Sequence, residues 1–549
     1  MTDRITDSNR EAPAKGDFAG LNAFRLGWII FLVLATSAPY LLNFFFAPAD
    51  CHYTWIVPPY PEDSFGYMAW TRQAAQGHFL FQLKFTALPH SAFLFHPFFL
   101  VAGWLSWIFT GNVGLTLFVL KEAGVVFFLL VFFKYADYLG LNKFQSVAAT
   151  ILAGVSSGLG GLLVWFGLAD PSTNFSGDLW LVDMNIFWCL LWNPLFPYSL
   201  ALMLLAVFWL DRGSRDGRKS DFWLAGSATG ILALIHPYSQ PLLFAFAVLI
   251  TALRRRAAAL IYLSRYFLVA IPFVVYMGLV TAFNPLISRH DAAGEMISPS
   301  PATYALGFGL PLVFSVAGLL VEREQLTKRC WPVMLWFVLS AVLAYFPFWF
   351  QRKLIFGAHI PLCIVAAISL DLFLNRFSNS RTRGWVSTAA AIILLPLLVS
   401  TPVYLLAGEN REVRNNADGC YYISSDVMDG MHFLKTQTKP SDVVFATVET
   451  SRLIPGLAGN TVVWGHWAQS VDLAERQIWV TNLFNAHADW TDPARGREFW
   501  GTNIQYIFAD GSLKQFLEQG RSRWQVILNE ADVVFTNRSV AIYKHRSGR

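Results

Sequence analysis

The sequence has little charge, few cysteines and no soluble region of the kind that binds a nucleotide. Only 14% of its 549 residues are Asp, Glu, Lys or Arg, whereas soluble proteins have about a quarter. The hydrophobic content is 55% and the mean hydropathy is +0.44. These values exclude an ordinary soluble protein and indicate a polytopic membrane protein.

Other absences narrow the functional classes. The net charge of +5 comes from short basic clusters between apolar runs, not from a basic domain, so no nucleic-acid partner is predicted. The five cysteines lack metal-ligand spacing; Cys51 and Cys420 fall on the predicted outer side, as a disulfide or as two unrelated thiols. A nucleotide-binding glycine loop and the internal repeats of many transporters are also missing.

Eleven apolar runs predict eleven transmembrane helices. Several runs are shorter than the roughly 20 residues of a perpendicular span. The runs are 26–46, 112–133, 144–167, 194–210, 222–236, 238–253, 266–284, 301–321, 331–349, 354–373 and 384–406. A twelfth run, 91–109, contains His96 and Pro97 and predicts a helix at the outer membrane surface.

Basic residues orient these spans, because short loops rich in Lys and Arg stay in the cytoplasm. With the N-terminus inside, 20 basic residues lie in the inner segments. The outer short loops hold five, namely Arg72, Lys84, Arg289, Arg352 and Lys353. This asymmetry predicts a cytoplasmic segment at 1–25, a transmembrane domain at 26–406 with its first outer loop at 47–111, and an outer domain at 407–549.

The chain changes character after Leu406. Short apolar runs of strand length alternate with polar segments that are typical of helices, at 424–436 and 512–519, which predicts an α/β domain of about 140 residues. The predicted strands are 443–447, 461–464, 504–508, 524–527, 533–536 and 540–543.

The first outer loop holds the most distinctive polar stretch, PPYPEDSFGYMAWTRQAAQG at 58–77. Its prolines favour an extended approach, after which Asp63 or Ser64 can cap a short helix that ends near Gly77. We expect this helix to lie on the membrane surface with its aromatic side chains at headgroup depth.

The arrangement of a first span, an outer loop with Glu62, Asp63 and Tyr67, a proline-containing apolar helix and an outer α/β tail resembles the GT-C superfamily of membrane glycosyltransferases. The resemblance implies a sugar donor linked to a polyprenyl phosphate. It also implies a catalytic role for the first-loop acid, as general base or, as in oligosaccharyltransferases, as metal ligand. It assigns the base to Asp63, with Glu62 raising its pKa by charge repulsion. No cofactor is predicted with certainty, a divalent metal is an open alternative, and a plain helix cap is the alternative for Asp63.

Four residues are candidates for binding the donor phosphate. Arg352 and Lys353 interrupt an apolar run on the outer side, where cations bind phosphate oxygens or alternatively reach lipid headgroups. Lys121 lies inside a predicted span, as a phosphate ligand or in a structural ion pair with another helix. His236 lies in a proline-rich segment that binds phosphate or is simply a turn.

Four further residues are candidates for contacts with the sugar or the acceptor, namely Tyr67, Trp70, His359 and His466. The polar residues between Gly167 and Pro194 predict a solvated loop, with acceptor binding or a metal site as alternatives. They are Asp170, Asp178, Asp183, Asn185 and Asn193.

The sequence thus predicts an inverting membrane glycosyltransferase that acts on the extracytoplasmic face, with a lipid, glycan or protein as acceptor. The resemblance and the Arg-rich inner loops favour a bacterial inner membrane. Two alternatives are a transporter or flippase of a lipid-linked or small solute, and a non-catalytic cell-envelope assembly protein.

Overall fold

The computed structural model describes residues 15–59, 61–284, 286, 296–377, 379–416, 419–483, 493–519 and 525–546. Arg4, Arg10 and Arg289, which the charge count used, lie outside these described residues. The described chain consists of a helical bundle followed by a smaller domain of helices and strands.

Ten of the eleven predicted runs each coincide with one helix of the bundle, whereas the run 144–167 divides into two helices, Lys143–Val155 and Gly160–Trp165. The elements, in chain order, are α1 (Lys15–Phe45), β1 (Cys51–Tyr53), α2 (Pro61–Ala75), α3 (Pro97–Ser106), α4 (Val113–Tyr138), α5 (Lys143–Val155), α6 (Gly160–Trp165), α7 (Ile186–Trp192), α8 (Phe196–Asp216), α9 (Lys219–Ile235), α10 (Gln240–Arg255), α11 (Ala259–Phe283), α12 (Pro301–Val321), α13 (Arg323–Leu343), α14 (His359–Leu374) and α15 (Ser380–Asn415).

The chain is a membrane protein. Within the described ranges, seven helical stretches are long and apolar enough to cross a bilayer: 20–45, 113–138, 237–283, 301–321, 323–343, 351–374 and 384–415. The longest of them contains both α10 and α11, and the total of eleven spans stays a prediction. Helix α3 has ten residues, about 15 Å, which is too short to span a membrane.

The predicted inner segments meet at one end of the bundle. Helix α4 begins beside Thr54, whose carbonyl would lie 2.3 Å from a Cβ on Gly114, and ends where Asp137 accepts a 3.0 Å hydrogen bond from Arg25. Its 26 residues measure about 39 Å. The first outer loop and the basic residue Arg25 are therefore at opposite ends of α4, and the side of the membrane that each end faces stays a prediction.

The domain after α15 is an α/β domain with a mixed sheet. Its elements are β2 (Tyr422–Ser424), α16 (Ser425–Gln437), β3 (Val443–Phe445), α17 (Val448–Leu457), β4 (Thr461–Val462), α18 (Leu473–Leu483), α19 (Pro493–Gly501), β5 (Tyr506–Ala509), α20 (Gly511–Gln519), α21 (Gln525–Leu528), β6 (Ala531–Thr536) and β7 (Ala541–His545). In the described part of the domain the sheet order is β4-β3-β5-β7-β6, parallel around β3 and antiparallel around β7.

Two details of this domain differ from the expectation. The predicted strand at 524–527 is wrong over its described residues, because Gln525–Leu528 form the helical turn α21. Helix α15 also continues through the predicted boundary at 406/407 and ends at Asn415. The boundary itself stays a prediction.

The first outer loop is tied to the α/β domain and is not a free membrane-surface element. Strand β1 pairs with β2 in antiparallel register, so that Tyr53 lies opposite Tyr422. Helix α2 packs between α3 and α17 and buries nine of its fifteen residues. The prediction that α2 lies on the membrane surface is therefore wrong. All five cysteines, each within the described residues, are free thiols, including Cys51 and Cys420.

Candidate active site

The acidic pair of the first loop lies inside α2 and not in front of it. The helix begins at Pro61, so Glu62 and Asp63 occupy its first turn. The expectation that Asp63 or Ser64 caps the helix is wrong, because proline is well suited to the first helical position. Free backbone N–H groups in the first turn favour negative charge there. The Asp63 side chain keeps partial access to solvent, so it can meet a substrate.

Asp63 is brought close to Lys353, which follows it far along the chain. Lys353 lies in a short helical turn just before α14, and its charge acts on the Asp63 carboxylate. Its Nζ also donates to both carboxylate oxygens of Asp183, at 2.8 and 3.1 Å. One ammonium group thus acts on two carboxylates: it bonds Asp183, and its charge also acts on Asp63.

The surroundings raise the pKa of Asp63 to about 6. Removal of water from the carboxylate is the largest cause, since burial disfavours the charged form. The charge of Lys353 and a hydrogen bond from Trp467 lower this pKa, whereas the charges of Glu62 and Asp183 raise it. Asp63 is therefore ionised at neutral pH yet more basic than a free carboxylate, as a general base requires.

Arg352 is the second cation of this region. Its guanidinium lies 5.8 Å from the ring centre of Trp180, within cation–π distance. The buried Nε has no hydrogen-bond partner among the described residues, and the same residues include no carboxylate paired with Arg352. A half-buried guanidinium in this state is suited to bind phosphate oxygens with its fork of N–H groups.

His236 lies on the same side of the bundle, at the end of α9. Its Nδ1 is 2.9 Å from the Ser239 hydroxyl, and its ring stacks on Phe356 with the centres 4.4 Å apart. The ring is within electrostatic reach of Asp183 and Lys353. Its Nε2 is buried and has no partner among the described residues. The structure therefore places His236 near the ion pair of Lys353 and Asp183.

The two aromatic candidates of α2 occupy different places. The Tyr67 hydroxyl accepts a 3.0 Å hydrogen bond from the Asn193 amide, and burial followed by the charge of Asp63 raises the pKa of Tyr67. Tyr67 therefore keeps its proton and can donate it to a sugar oxygen. Both rings pack against Phe99 of α3, with ring centres 5.3 Å apart for Tyr67 and 5.2 Å apart for Trp70. The structure places Tyr67 beside Asp63 and Trp70 in the α2–α3 contact.

The α/β domain contributes to the site through the loop after β4. His466 Nδ1 accepts backbone N–H groups at 3.0 and 3.3 Å. Its Nε2 would lie 3.0 Å from a Cβ at Gly66, so α2 packs directly on this loop because Gly66 has no side chain. Trp467, which is 46% exposed, donates to Asp63. Trp467 rather than His466 is thus the direct contact of this loop with the carboxylate.

Among the described residues, no hydrogen bond or ion pair joins Lys121 or His359 to Asp63 or Lys353. Lys121 Nζ donates to Glu122 Oε1 at 2.5 Å and to the Thr36 carbonyl at 3.1 Å. Lys121 therefore bonds Glu122 of its own helix, and its charge also acts on the buried Glu409 of α15. Lys121 and Tyr67 line one small cavity of about 20 Å³, room for one water molecule. His359 Nε2 is 3.3 Å from the Ser156 hydroxyl, and the residue is 2% exposed.

The polar segment before α8 is largely buried, so the prediction of a solvated loop is wrong for four of its five polar residues. Asp178, Asp183, Asn185 and Asn193 are at most 5% exposed, and only Asp170 is exposed. The apolar neighbours of Asp183 in the sequence were the signal for its burial. Among the described residues, no group of three or more His, Cys, Asp or Glu could hold a metal ion.

No family model and no curated protein matches the chain. The arabinofuranosyltransferase AftD from Mycobacteria, a GT-C enzyme, superposes with a TM-score of 0.54 at 14% identity, over 94% of this chain and 40% of AftD. The chain has a GT-C fold.

Two other solved GT-C enzymes are also similar to the chain. The archaeal oligosaccharyltransferase AglB from Archaeoglobus fulgidus, in complex with an inhibitory peptide and dolichol-phosphate, has a TM-score of 0.48 at 14% identity, over 96% of this chain and 74% of AglB. ArnT from Cupriavidus metallidurans, bound to undecaprenyl phosphate, has a TM-score of 0.47 at 12% identity, over 94% of this chain and 98% of ArnT.

Proposed function

We propose that this protein is an integral membrane glycosyltransferase that transfers a sugar from a polyprenyl-phosphate donor to an acceptor on the extracytoplasmic face. The observation that supports it most is the placement of Asp63 beside Lys353 and Trp467, in a GT-C fold. A carboxylate with a pKa of about 6 can take a proton from an acceptor hydroxyl at neutral pH.

In the proposed reaction, Asp63 removes the proton of the acceptor hydroxyl while its oxygen forms a bond to the anomeric carbon of the sugar. The bond between that carbon and the lipid phosphate breaks, and the phosphate leaves with the electron pair. One base suffices for this inverting displacement, whereas inverting hydrolysis also uses a second carboxyl group as acid.

The other side chains of the site would stabilise the leaving phosphate, the ionised base and the sugar. Arg352 and the Nε2–H tautomer of His236 would donate to the leaving phosphate, because neither group is satisfied by the described protein. Lys353, held by Asp183, would keep Asp63 ionised and complete the charge balance. Tyr67 would donate its hydroxyl proton to the sugar. We also propose that the α/β domain lies on the extracytoplasmic face and that the membrane is a bacterial inner membrane.

The test is a transfer reaction with the purified protein in lipid vesicles. Radiolabelled polyprenyl-phosphate sugars are supplied on the outer face together with membrane extract, and label is followed into covalent products. We expect label in a product with wild-type protein and none with Asp63→Asn at equal expression. Movement of labelled lipid across the bilayer without a new covalent product would instead establish a flippase.

A further inference from the structure

A second polar cavity lies on another side of α2. Its volume is about 520 Å³, a size typical of ligand sites. It is enclosed by the end of α1, strand β1, the turn before α4 and helix α16, with Arg72 of α2 in its wall. Arg72 follows Met68 by one turn and lies about 140° around the helix from Tyr67. The lining residues include neither Asp63 nor Lys353.

The charged groups in the cavity wall are all basic. Arg72 and Lys435 line it together with His52 and His432, and its described lining residues include no Asp or Glu. A Cβ on Gly111 would lie 3.7 Å from Arg72 Nη1 and 3.9 Å from Lys435 Nζ, so the two nitrogens are less than about 8 Å apart. One phosphate group can accept hydrogen bonds from both, since each such bond is about 2.8 Å long.

The guanidinium of Arg72 is fixed in the wall although the positive charge of Lys435 acts on it. Arg72 is 7% exposed, and its Nε donates to the Gly456 carbonyl at 3.0 Å, which fixes the guanidinium in the wall. Burial lowers the pKa of Arg72 to about 10. Burial and then the charge of Arg72 lower the pKa of Lys435. An anion between them would relieve this repulsion.

The mouth of the cavity adjoins an apolar surface. Phe44 lines the cavity at the end of the α1 span, and the next residues, Phe45 and Phe46, are 73% and 67% exposed. On another edge, Trp107 and Ile108 are 73% and 71% exposed just before the lining turn at 110–113. Exposed aromatic and aliphatic side chains at the end of a span mark membrane-surface depth. A ligand here can place its charge in the cavity and its chain along α1.

We propose that this cavity binds the phosphate group of a membrane amphiphile, with Arg72 and Lys435 as its ligands, at a site separate from Asp63. In this proposal, binding of the amphiphile does not depend on sugar transfer. The Asp63→Asn variant should therefore bind the amphiphile as wild type does, which separates a failure of this inference from a failure of the proposed glycosyltransferase activity.

The test uses the full-length protein in detergent and counts bound lipid by native mass spectrometry. The probes are phosphatidic acid, phosphatidylcholine with the same acyl chains, and inorganic phosphate. We expect wild type to retain phosphatidic acid at least tenfold more tightly than phosphatidylcholine, and inorganic phosphate to compete only weakly. Equal binding of the two lipids would overturn recognition of the anion. Displacement of the lipid by an equal concentration of inorganic phosphate would overturn the inference that the ligand is an amphiphile.

The deciding variant is Lys435→Glu, because Lys435 is exposed at the cavity and its replacement disturbs no packed core. Its matched control is Lys439→Glu, the same charge change on an exposed residue that does not line the cavity. We expect at least a tenfold loss of phosphatidic acid affinity in Lys435→Glu and none in the control. Equal affinities in the two variants would overturn the assignment.

Discussion

The two ends of the helical bundle both contain buried charges, but they use them differently. At the end with the predicted inner segments, Arg212 forms two hydrogen bonds with Asp221, at 2.7 and 2.8 Å, and Arg254 bonds Asp211 at 2.6 Å. Each of these two buried carboxylates has its own arginine. At the other end, one Lys353 faces both Asp183 and Asp63, and Arg352 has no carboxylate partner in the described chain.

This difference separates charges that maintain the fold from charges that are available to a substrate. A matched ion pair gains nothing from a ligand, because its hydrogen bonds are already made. An unmatched cation or carboxylate gains a partner when the substrate binds, and electrostatic contacts of this kind are large terms in catalysis. Substitution of an unmatched charge should therefore lower the transfer rate, whereas substitution of a matched ion pair should lower the stability of the fold.

The largest expected effect is on transfer in Asp63→Asn. Removal of a general base should lower the initial rate by about 10²–10⁴-fold, measured with the labelled donor. The matched control is Asp170→Asn, which changes an exposed carboxylate of the same outer region and should leave the rate unchanged. Normal turnover in Asp63→Asn would remove the assignment of the base.

The next effect compares one arginine from each end. Arg352→Gln should lower the transfer rate about 10²-fold, because the leaving phosphate loses a donor, with little change in unfolding. Arg254→Gln should do the reverse: it leaves Asp211 buried without its partner, which costs about 3–5 kcal/mol of stability. Rates per folded molecule and thermal unfolding in detergent measure both. If Arg352→Gln unfolds as readily as Arg254→Gln, the distinction between the ends fails.

Much of the fold was predictable because its signals are local. Ten of the eleven apolar runs each became one helix, and five of the six strand-length runs after Leu406 became strands of the sheet, since hydrophobicity and its period are read over short windows. The sequence assigns both Asp63 and Lys353 to the predicted outer side, which allows them to meet, and in the structure the charge of Lys353 acts on Asp63. The contact of Trp467 with Asp63 and the packing of α2 were not predictable, because each depends on segments distant in the chain.

A smaller effect is expected in the pH profile of transfer. The base must be ionised, so with a folded-state pKa of about 6 the rate should fall as the pH drops through 6. The Trp467 N–H favours the ionised form, so Trp467→Phe should raise this pKa and move the acid limb to higher pH, by about one unit. The profile of kcat/KM measures it. An unmoved limb would show that Trp467 does not act on the base.

The smallest effect is expected for Glu62→Gln. Repulsion by Glu62 raises the pKa of Asp63, but it ranks below burial, Lys353 and Trp467 among the causes. The variant should move the acid limb slightly to lower pH, opposite in sign to Trp467→Phe, and keep the plateau rate. A lost plateau would mean that Glu62 itself takes part in the reaction.

The contact of Trp467 with α2 bears on biosynthesis. Ribosomes make the N-terminus first, so every predicted span and the base itself are already synthesised before residue 467 is added. The nascent chain thus contains its carboxylate long before that residue's indole reaches it. We expect a polypeptide that is released before this loop is made to insert into the bilayer but to have no transfer activity. Activity should appear only when the α/β domain has folded.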